Sequence, residues 1–111
     1  MVALLGLGMI VMGQVTFTAH DTKQAIHDAA ANTGASVSRL WRIVSCETGG
    51  TFNPYAVGDR GQSIGAVQLH ARGERSRFYA YGYTDPYNPY QAVEFLARRI
   101  LAGGASAWTC R

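Results

Sequence analysis

The first part of the chain is an uninterrupted apolar run. Residues 1–13 are almost wholly apolar and rich in glycine, and no charged side chain precedes His20. Such a run is short for a membrane span, which needs about 20 residues. It is typical of a signal-peptide core, with residues 17–19 as a weak cleavage site. We therefore predict a signal peptide or N-terminal membrane anchor over residues 1–19 and a folded domain over residues 20–111. Because no positive charge precedes the run, a buried N-terminal helix or strand is the alternative.

Two helices are predicted after this run. Asp21 followed by Gln24 has the spacing of a capping box, which predicts a helix to about Asn32 that Gly34 ends. The second helix begins at Ser36, and its apolar residues recur at the 3.6-residue period of one buried face. These residues are Val37, Leu40, Trp41 and Val44, and all of them, Trp41 included, are assigned to the core.

Glu47 continues the apolar face of this second helix, just before residues 49–50, both glycine, end it. A carboxyl that is partly removed from water keeps its proton and can act as a general acid near neutral pH. The C-terminal end of a helix disfavours negative charge, which acts in the same direction. The alternative is a structural glutamate that caps the helix end or pairs with Arg42 or Arg60.

Turn-forming residues dominate the middle of the chain. Residues 49–65 are rich in Gly, Asn, Pro and Asp, and residues 59–61 are the clearest turn. This stretch has room for a short hairpin, and a short helix is predicted over residues 66–71. Residues 78–90 interleave aromatic residues with Gly, Asp, Pro and Asn, and we predict a loop there.

The last helix has a clear start signal, with Asn88 as N-cap, Pro89 at the first position and Gln91 three residues after the cap. The glycines at residues 103–104 end it. Its predicted buried face consists of Ala92, Val93, Leu96 and Ile100. Together these elements predict an α+β domain, predominantly α, with a small β-hairpin or irregular insertion after the helix that carries Glu47.

Composition narrows the class of protein. The chain has 111 residues, 48% hydrophobic and 15% charged, which suits one globular domain. Its net charge of +3 favours anionic partners such as cell-wall polymers. The basic residues are scattered, so no nucleic-acid partner is expected. In an exported chain, Cys46 and Cys110 are expected to form one disulfide, which would stabilise the fold by roughly 4 kcal/mol.

The string CETGGTFNPYAVGDRGQSIGAVQLH, residues 46–70, resembles the catalytic stretch of lysozyme-like muramidases and soluble lytic transglycosylases. In that superfamily a helix ends in Glu-Ser-Gly, followed by Phe-Asn-Pro and Ala, and then by Gly-x-x-Gln. Residues 47–49 match the first element with Thr in place of Ser, and residues 52–56 match the second. Gly65 and Gln68 match the third.

Further segments extend the resemblance. DPYNPYQAVEFL, residues 85–96, is similar to the family's Asp-Pro-x-x-Asn helix start. The run from Asp59, DRGQSIGAVQ, is similar to the segment of goose-type lysozymes whose second carboxylate positions the attacking water. Cys46 and the ending AWTCR resemble secreted actinobacterial lysozyme-like domains, which implies a bridge from Cys46 to Cys110. Transglycosylases commonly carry a late Tyr-Asn pair, and none follows Leu96 here.

The resemblance implies a lysozyme-like fold and a muramidase that cuts the β-1,4 bond between N-acetylmuramic acid and N-acetylglucosamine. Glu47 would be the general acid, Asp59 would orient water, and Gln68 beside Gly65 would bind an N-acetyl or carbonyl group. The first alternative is a lytic transglycosylase, in which Glu47 next acts as base on the sugar's 6-hydroxyl and Asp59 is only a turn residue. The second is a non-catalytic glycan-binding module of a secretion or phage machine.

The expected partner is the peptidoglycan glycan strand. Sugar rings stack their C–H faces on aromatic rings, and Tyr55, Tyr90 and Trp108 are candidates for such contacts. No cofactor and no metal are expected. We expect a monomer that is secreted or associated with the cell wall, with membrane contact only through an N-terminal anchor.

Two other site chemistries fit the sequence less well. Cys46 could be a nucleophile with His70 as its base, but nothing in the sequence orients His70, and a disulfide would remove the thiol. His20, His27 and His70 do not have the spacing of a familiar zinc site.

Overall fold

The computed structural model describes residues 15–111, so most of the predicted signal peptide lies outside the described residues. The prediction of an α+β domain is confirmed. In chain order the elements are α1 (Ala19–Thr33), α2 (Val37–Glu47), β1 (Val57–Gly58), β2 (Ser63–Ile64), β3 (Leu69–His70), α3 (Glu74–Ala80) and α4 (Pro89–Leu101), with 3-10 turns over Asp59–Gly61 and Ala105–Ala107. None of the helices within residues 15–111 is long and apolar enough to cross a membrane.

Helix α1 begins three residues earlier than predicted, because Thr18 and not Asp21 is its N-cap. The Thr18 hydroxyl accepts from the Asp21 backbone N–H, and the Asp21 carboxylate accepts from the Thr18 N–H at 2.9 Å. Asp21 is therefore the far member of the capping box. The hydrogen bond from the Thr18 N–H is the largest of the causes that lower the pKa of Asp21. Gly34 ends the helix as predicted, in the left-handed conformation.

Replacing the cap should weaken the fold measurably. We expect Thr18→Ala to lower the free energy of unfolding by about 1 kcal/mol, because α1 loses the acceptor for one of its unpaired N–H groups. Urea unfolding followed by circular dichroism measures the change. Ser106→Ala is the control, since Ser106 is exposed. Equal stability of the Thr18 and Ser106 variants would contradict this role for Thr18.

The core lies between α1 and α4, which pack along each other. The predicted face of α4 is confirmed for Ala92, Val93 and Leu96, which are fully buried, whereas Ile100 is only partly buried at the edge. The start of α4 is also as predicted, because the Asn88 side chain accepts from the backbone N–H groups of the first turn.

Helix α2 begins after Ser36 as predicted, but its buried face is rotated from the predicted one. Leu40, Ile43 and Val44 are fully buried. Val37 is 39% exposed and Trp41 is 36% exposed, so assigning Trp41 to the core was wrong. The indole lies on the Phe52 ring at 4.8 Å between centroids and covers it from solvent.

The predicted hairpin is confirmed and carries a third strand. β1 pairs antiparallel with β2, and β2 pairs antiparallel with β3. The helix predicted over residues 66–71 is absent from the structure. Gly65 and Gln68 both have positive φ, at 84° and 51°, and this turns the chain back into β3.

The loop predicted over residues 78–90 was partly wrong, because residues 78–80 are the end of α3. This helix has seven residues and no side-chain N-cap, so it lacks a local start signal. Tertiary contacts stabilise it. The Phe78 ring is fully buried against Phe95, and the Glu74 carboxylate is paired with Arg77 and Arg99.

Candidate active site

A cavity of about 560 Å³ opens beside the C-terminal end of α2. The end of α2, the small sheet and the C-terminal segment supply its walls. Its lining residues are Glu47, Asp59, Ser63, Gln68, His70, Ala107, Trp108 and Thr109. The predicted residues Glu47, Asp59 and Gln68 are therefore brought together, and Trp108 joins them.

Glu47 is the last residue of α2 and is half-buried at the cavity wall. Desolvation, the largest cause, raises the pKa of its carboxyl. The backbone N–H of Cys110 donates to Glu47 Oε2 at 3.4 Å and opposes part of this shift. The burial follows from the helical period, since Glu47 is on the same face as the buried Ile43 and Val44.

Thr48 fixes the turn that follows Glu47. Its hydroxyl is buried, donates to the Val44 carbonyl at 2.8 Å and accepts from the Phe52 N–H at 2.9 Å. Phe52 can then adopt a φ of 55°, and the chain leaves α2 towards the sheet. Thr48 thus holds the end of the helix and the position of the Glu47 carboxyl.

The predicted disulfide between Cys46 and Cys110 is confirmed, with Cα atoms 5.8 Å apart. It keeps the C-terminal segment against the end of α2, where the Cys110 N–H reaches Glu47. In the same segment the Trp108 indole N–H donates to the Val67 carbonyl at 2.7 Å. The bridge also leaves no thiol at Cys46, which removes the cysteine-nucleophile alternative.

Asp59 is held by His70, a partner that the sequence did not reveal. His70 Nε2 lies 2.8 Å from Asp59 Oδ2, and His70 Nδ1 accepts from the Arg72 backbone N–H at 3.0 Å. The expectation that nothing orients His70 was therefore wrong. Since Nδ1 is an acceptor, the neutral ring carries its proton on Nε2, and this N–H donates a hydrogen bond to Asp59 Oδ2. Both ring nitrogens are engaged, so His70 has no free lone pair for use as a base.

The register of the sheet explains why Asp59 and His70 meet. Gly58 pairs with Ser63, and Ser63 pairs with His70, so these residues form one row across the three strands. Asp59 follows Gly58 directly. The row places the carboxylate, the Ser63 side chain and the imidazole on the cavity wall.

Gln68 joins two loops as well as lining the cavity. Its Nε2 donates to the Ala56 carbonyl at 3.1 Å and to the Gly65 carbonyl at 3.0 Å. Gly65 has a positive φ, and a Cβ there would clash with the Pro86 carbonyl, so the backbones of these two residues lie close together. Gly65 is not among the residues that line the cavity. Both amide hydrogens of Gln68 are used, which leaves Oε1 as its free hydrogen-bonding atom.

The two tyrosines chosen as sugar contacts are not among the residues that line this cavity. The Tyr55 hydroxyl accepts from the Phe17 N–H at 2.9 Å, and its ring stacks on Tyr87. The Tyr90 hydroxyl donates to Asp21 Oδ1 at 2.9 Å. Both side chains therefore attach the start of α1 to the rest of the fold, Tyr55 through the Phe17 backbone and Tyr90 through the Asp21 carboxylate.

Within residues 15–111, no three His, Cys, Asp or Glu side chains come together as metal ligands would. The functional groups that line the cavity are one half-buried acid, one carboxylate paired with an imidazole, an amide oxygen, two hydroxyls and an indole. No protein-family model, curated protein or solved structure matches the chain, so the assignment of a function depends on this geometry.

Proposed function

We propose that the protein is a muramidase of lysozyme-like fold that cleaves the β-1,4 bond between N-acetylmuramic acid and N-acetylglucosamine in peptidoglycan. The observation that carries the proposal is the half-buried Glu47 carboxyl, whose pKa is raised by desolvation, in a cavity that also contains the held carboxylate of Asp59. Two carboxyl groups with different environments are what glycosidic cleavage requires.

Glu47 acts as the general acid. Protonation of the leaving oxygen needs a carboxyl that keeps its proton near neutral pH, and desolvation of Glu47 favours the protonated form. The 3.4 Å bond from the Cys110 N–H stabilises the carboxylate that remains after proton transfer. The group is thus suited both to hold a proton and to release it.

Asp59 orients and deprotonates the attacking water. His70 donates to Oδ2, so Oδ1 is left for a water on the opposite face of the sugar. An inverting enzyme needs room for that water, with its carboxyl groups about 6.5–9.5 Å apart. His70 acts as a positioning residue, because it fixes the rotamer of Asp59 and does not itself accept a proton.

The cavity wall supplies contacts for the sugar. Gln68 Oε1 can only accept a hydrogen bond, which suits the N–H of an N-acetyl group and excludes a bond to its carbonyl. The Trp108 ring is 3% exposed and packs against Phe95 with its indole N–H bonded to Val67, so it supports the cavity wall from the core side. We place the protein outside the cytoplasm, where a disulfide persists.

Analysis of the products tests this proposal. Wild-type protein incubated with purified peptidoglycan should release muropeptides with reducing muramic ends, which mass spectrometry identifies. Products lighter by one water would instead indicate intramolecular attack by the 6-hydroxyl and a transglycosylase. Binding to glycan with no product would contradict an enzyme.

Asp59→Asn separates the two enzymatic routes. We expect turnover to fall roughly a hundredfold, within the range for loss of a general base. Asn tolerates the φ of 52° and can still accept from His70, so the turn is retained. Asp28→Asn, on the exposed side of α1, is the matched control. Wild-type turnover by Asp59→Asn would show that Asp59 is not the base.

A further inference from the structure

We propose that Arg60 and Arg72 form a subsite for the carboxylates of the peptide attached to muramic acid, so that the preferred substrate is peptide-bearing glycan. The inference rests on the proposed function, since it assumes that the glycan occupies the Glu47 cavity. It extends that function to a substrate class that the catalytic residues alone do not select.

A second cavity adjoins the first. It has a volume of about 530 Å³ and is lined by Asp59, Arg60, Gln62 and Arg72. Asp59 lines both cavities, so a ligand that reaches the Asp59 carboxylate from the Glu47 side can extend a substituent towards the two arginines. The cavity that contains Glu47 and the cavity that contains the two arginines therefore adjoin at Asp59.

The two arginines have no ionic partner among residues 15–111. The carboxylate that lines the same cavity, Asp59, is paired with His70 at 2.8 Å. Within the described part of the chain, three other arginines, unlike these two, have partners for their side chains. Arg77 and Arg99 pair with Glu74, and Arg75 donates to the carbonyls of Leu69 and Gln62. The arginines of the second cavity thus have unused charge and unused donors.

The backbone at the subsite is strained and fixed. Asp59 and Arg60 both have left-handed φ values, of 52° and 56°. This conformation costs roughly 1–2 kcal/mol for a residue with a side chain, and such strain is concentrated at functional sites. On the other side, the Arg72 N–H is bonded to His70 and the Ala71 N–H donates to the Gln62 carbonyl at 2.8 Å. Both guanidinium groups therefore extend from an ordered backbone.

The chemistry of the ligand follows from these donors. A guanidinium binds a carboxylate through two parallel hydrogen bonds, and a sugar hydroxyl offers no comparable partner. The glycan strand of peptidoglycan is uncharged while each lactyl carboxyl of muramic acid is amide-linked to a peptide, whereas that peptide carries free carboxylates. The second cavity therefore fits an anionic group on a substituent of the sugar at the scissile bond.

Paired substrates test the subsite. Arg60→Gln/Arg72→Gln should raise KM for peptide-bearing glycan by roughly tenfold or more, as expected for loss of charge-assisted hydrogen bonds. On the same strands stripped of peptide by an amidase and then converted to uncharged methylamides at the freed lactyl carboxyls, KM and kcat should be unchanged. Arg39→Gln/Arg42→Gln removes the same charge from α2 and should behave as wild type on both substrates. Equal losses on both substrates, or no loss, would overturn the subsite.

A binding measurement keeps the subsite separate from the proposed function. Calorimetry in the Glu47→Gln background, with a tetrasaccharide that carries two peptide stems and with the same tetrasaccharide whose lactyl carboxyls are methylamides, gives both affinities without turnover. Preference for the peptide-bearing form that disappears in Arg60→Gln/Arg72→Gln supports the subsite even if wild-type protein cleaves neither substrate. Absence of that preference overturns the subsite even if the muramidase activity is present.

Discussion

Glu47→Gln should lower the rate of peptidoglycan cleavage by roughly 10²–10⁴-fold, the range for loss of a general acid. Gln has nearly the same shape and can still accept from the Cys110 N–H, but it has no proton of suitable acidity to give the leaving oxygen. Release of reducing ends from purified peptidoglycan measures the rate. Glycan affinity should be retained, since the change leaves the cavity wall in place.

Glu94→Gln is the matched control for this variant. Glu94 is also half-buried at the side of a helix, and it accepts from the Tyr83 hydroxyl at 2.7 Å, but it is not among the residues that line the Glu47 cavity. We expect wild-type turnover from Glu94→Gln. If Glu47→Gln also cleaved at the wild-type rate, the proposed mechanism would be wrong.

The raised pKa of Glu47 adds a second measurement on the same variant. A carboxyl whose folded-state pKa is raised contributes stability that is present below its unfolded pKa and is lost as pH rises through the folded pKa. Wild-type protein should lose this contribution at higher pH, whereas Glu47→Gln has no such titration. At alkaline pH the variant should therefore be at least as stable as wild type in urea unfolding, which distinguishes loss of chemistry from loss of fold.

Cys46→Ser/Cys110→Ser should lower the free energy of unfolding by about 4 kcal/mol, because the bridge closes a loop with a sequence separation of 64. That is a large share of the stability of a domain of this size. Urea unfolding of the oxidised wild type and of the double variant measures the difference. Reductant should destabilise the wild type and leave the double variant unchanged.

The same change should reduce catalysis under conditions where the double variant is still folded. The bridge keeps the Cys110 N–H near Glu47, and the segment before it places Trp108 on the cavity wall. Without it, this segment is still attached by the buried Trp108 side chain, but no covalent bond holds the Cys110 N–H beside Glu47. Full activity and unchanged stability after reduction of the wild type would show that the bridge has neither role.

Several features of the fold and the site could be predicted from the sequence, because they depend on residues that are close together along the chain or on residue type alone. Ser36 and Asn88 satisfy the first N–H groups of the helices that they begin, so their caps could be predicted from sequence. Glu47 could be located because a helical period places it on the buried face within one turn of Val44. The pairing of Cys46 with Cys110 followed from there being two cysteines.

Other features depend on contacts between distant parts of the chain. Helix α3 has no cap and is stabilised by Phe78 in the core and by Glu74 paired with Arg99 of α4. Trp41 has the spacing of a core residue, but whether a position on a helix is buried depends on what packs against it. The Trp41 ring contacts Phe52, His27 and Lys23 at the surface and is still 36% exposed.

The sequence by itself determined the place of the Glu47 carboxyl, at the end of α2 on the face that continues from Val44, because the helical period fixes which residues share a face. Only the tertiary structure decided what surrounds it. The contact of Asp59 with His70 depends on the register of three two-residue strands, too short to be read from hydrophobic alternation. The cavity with Arg60 depends on the two left-handed residues of the turn, a conformation that neighbouring contacts impose and that local propensity disfavours.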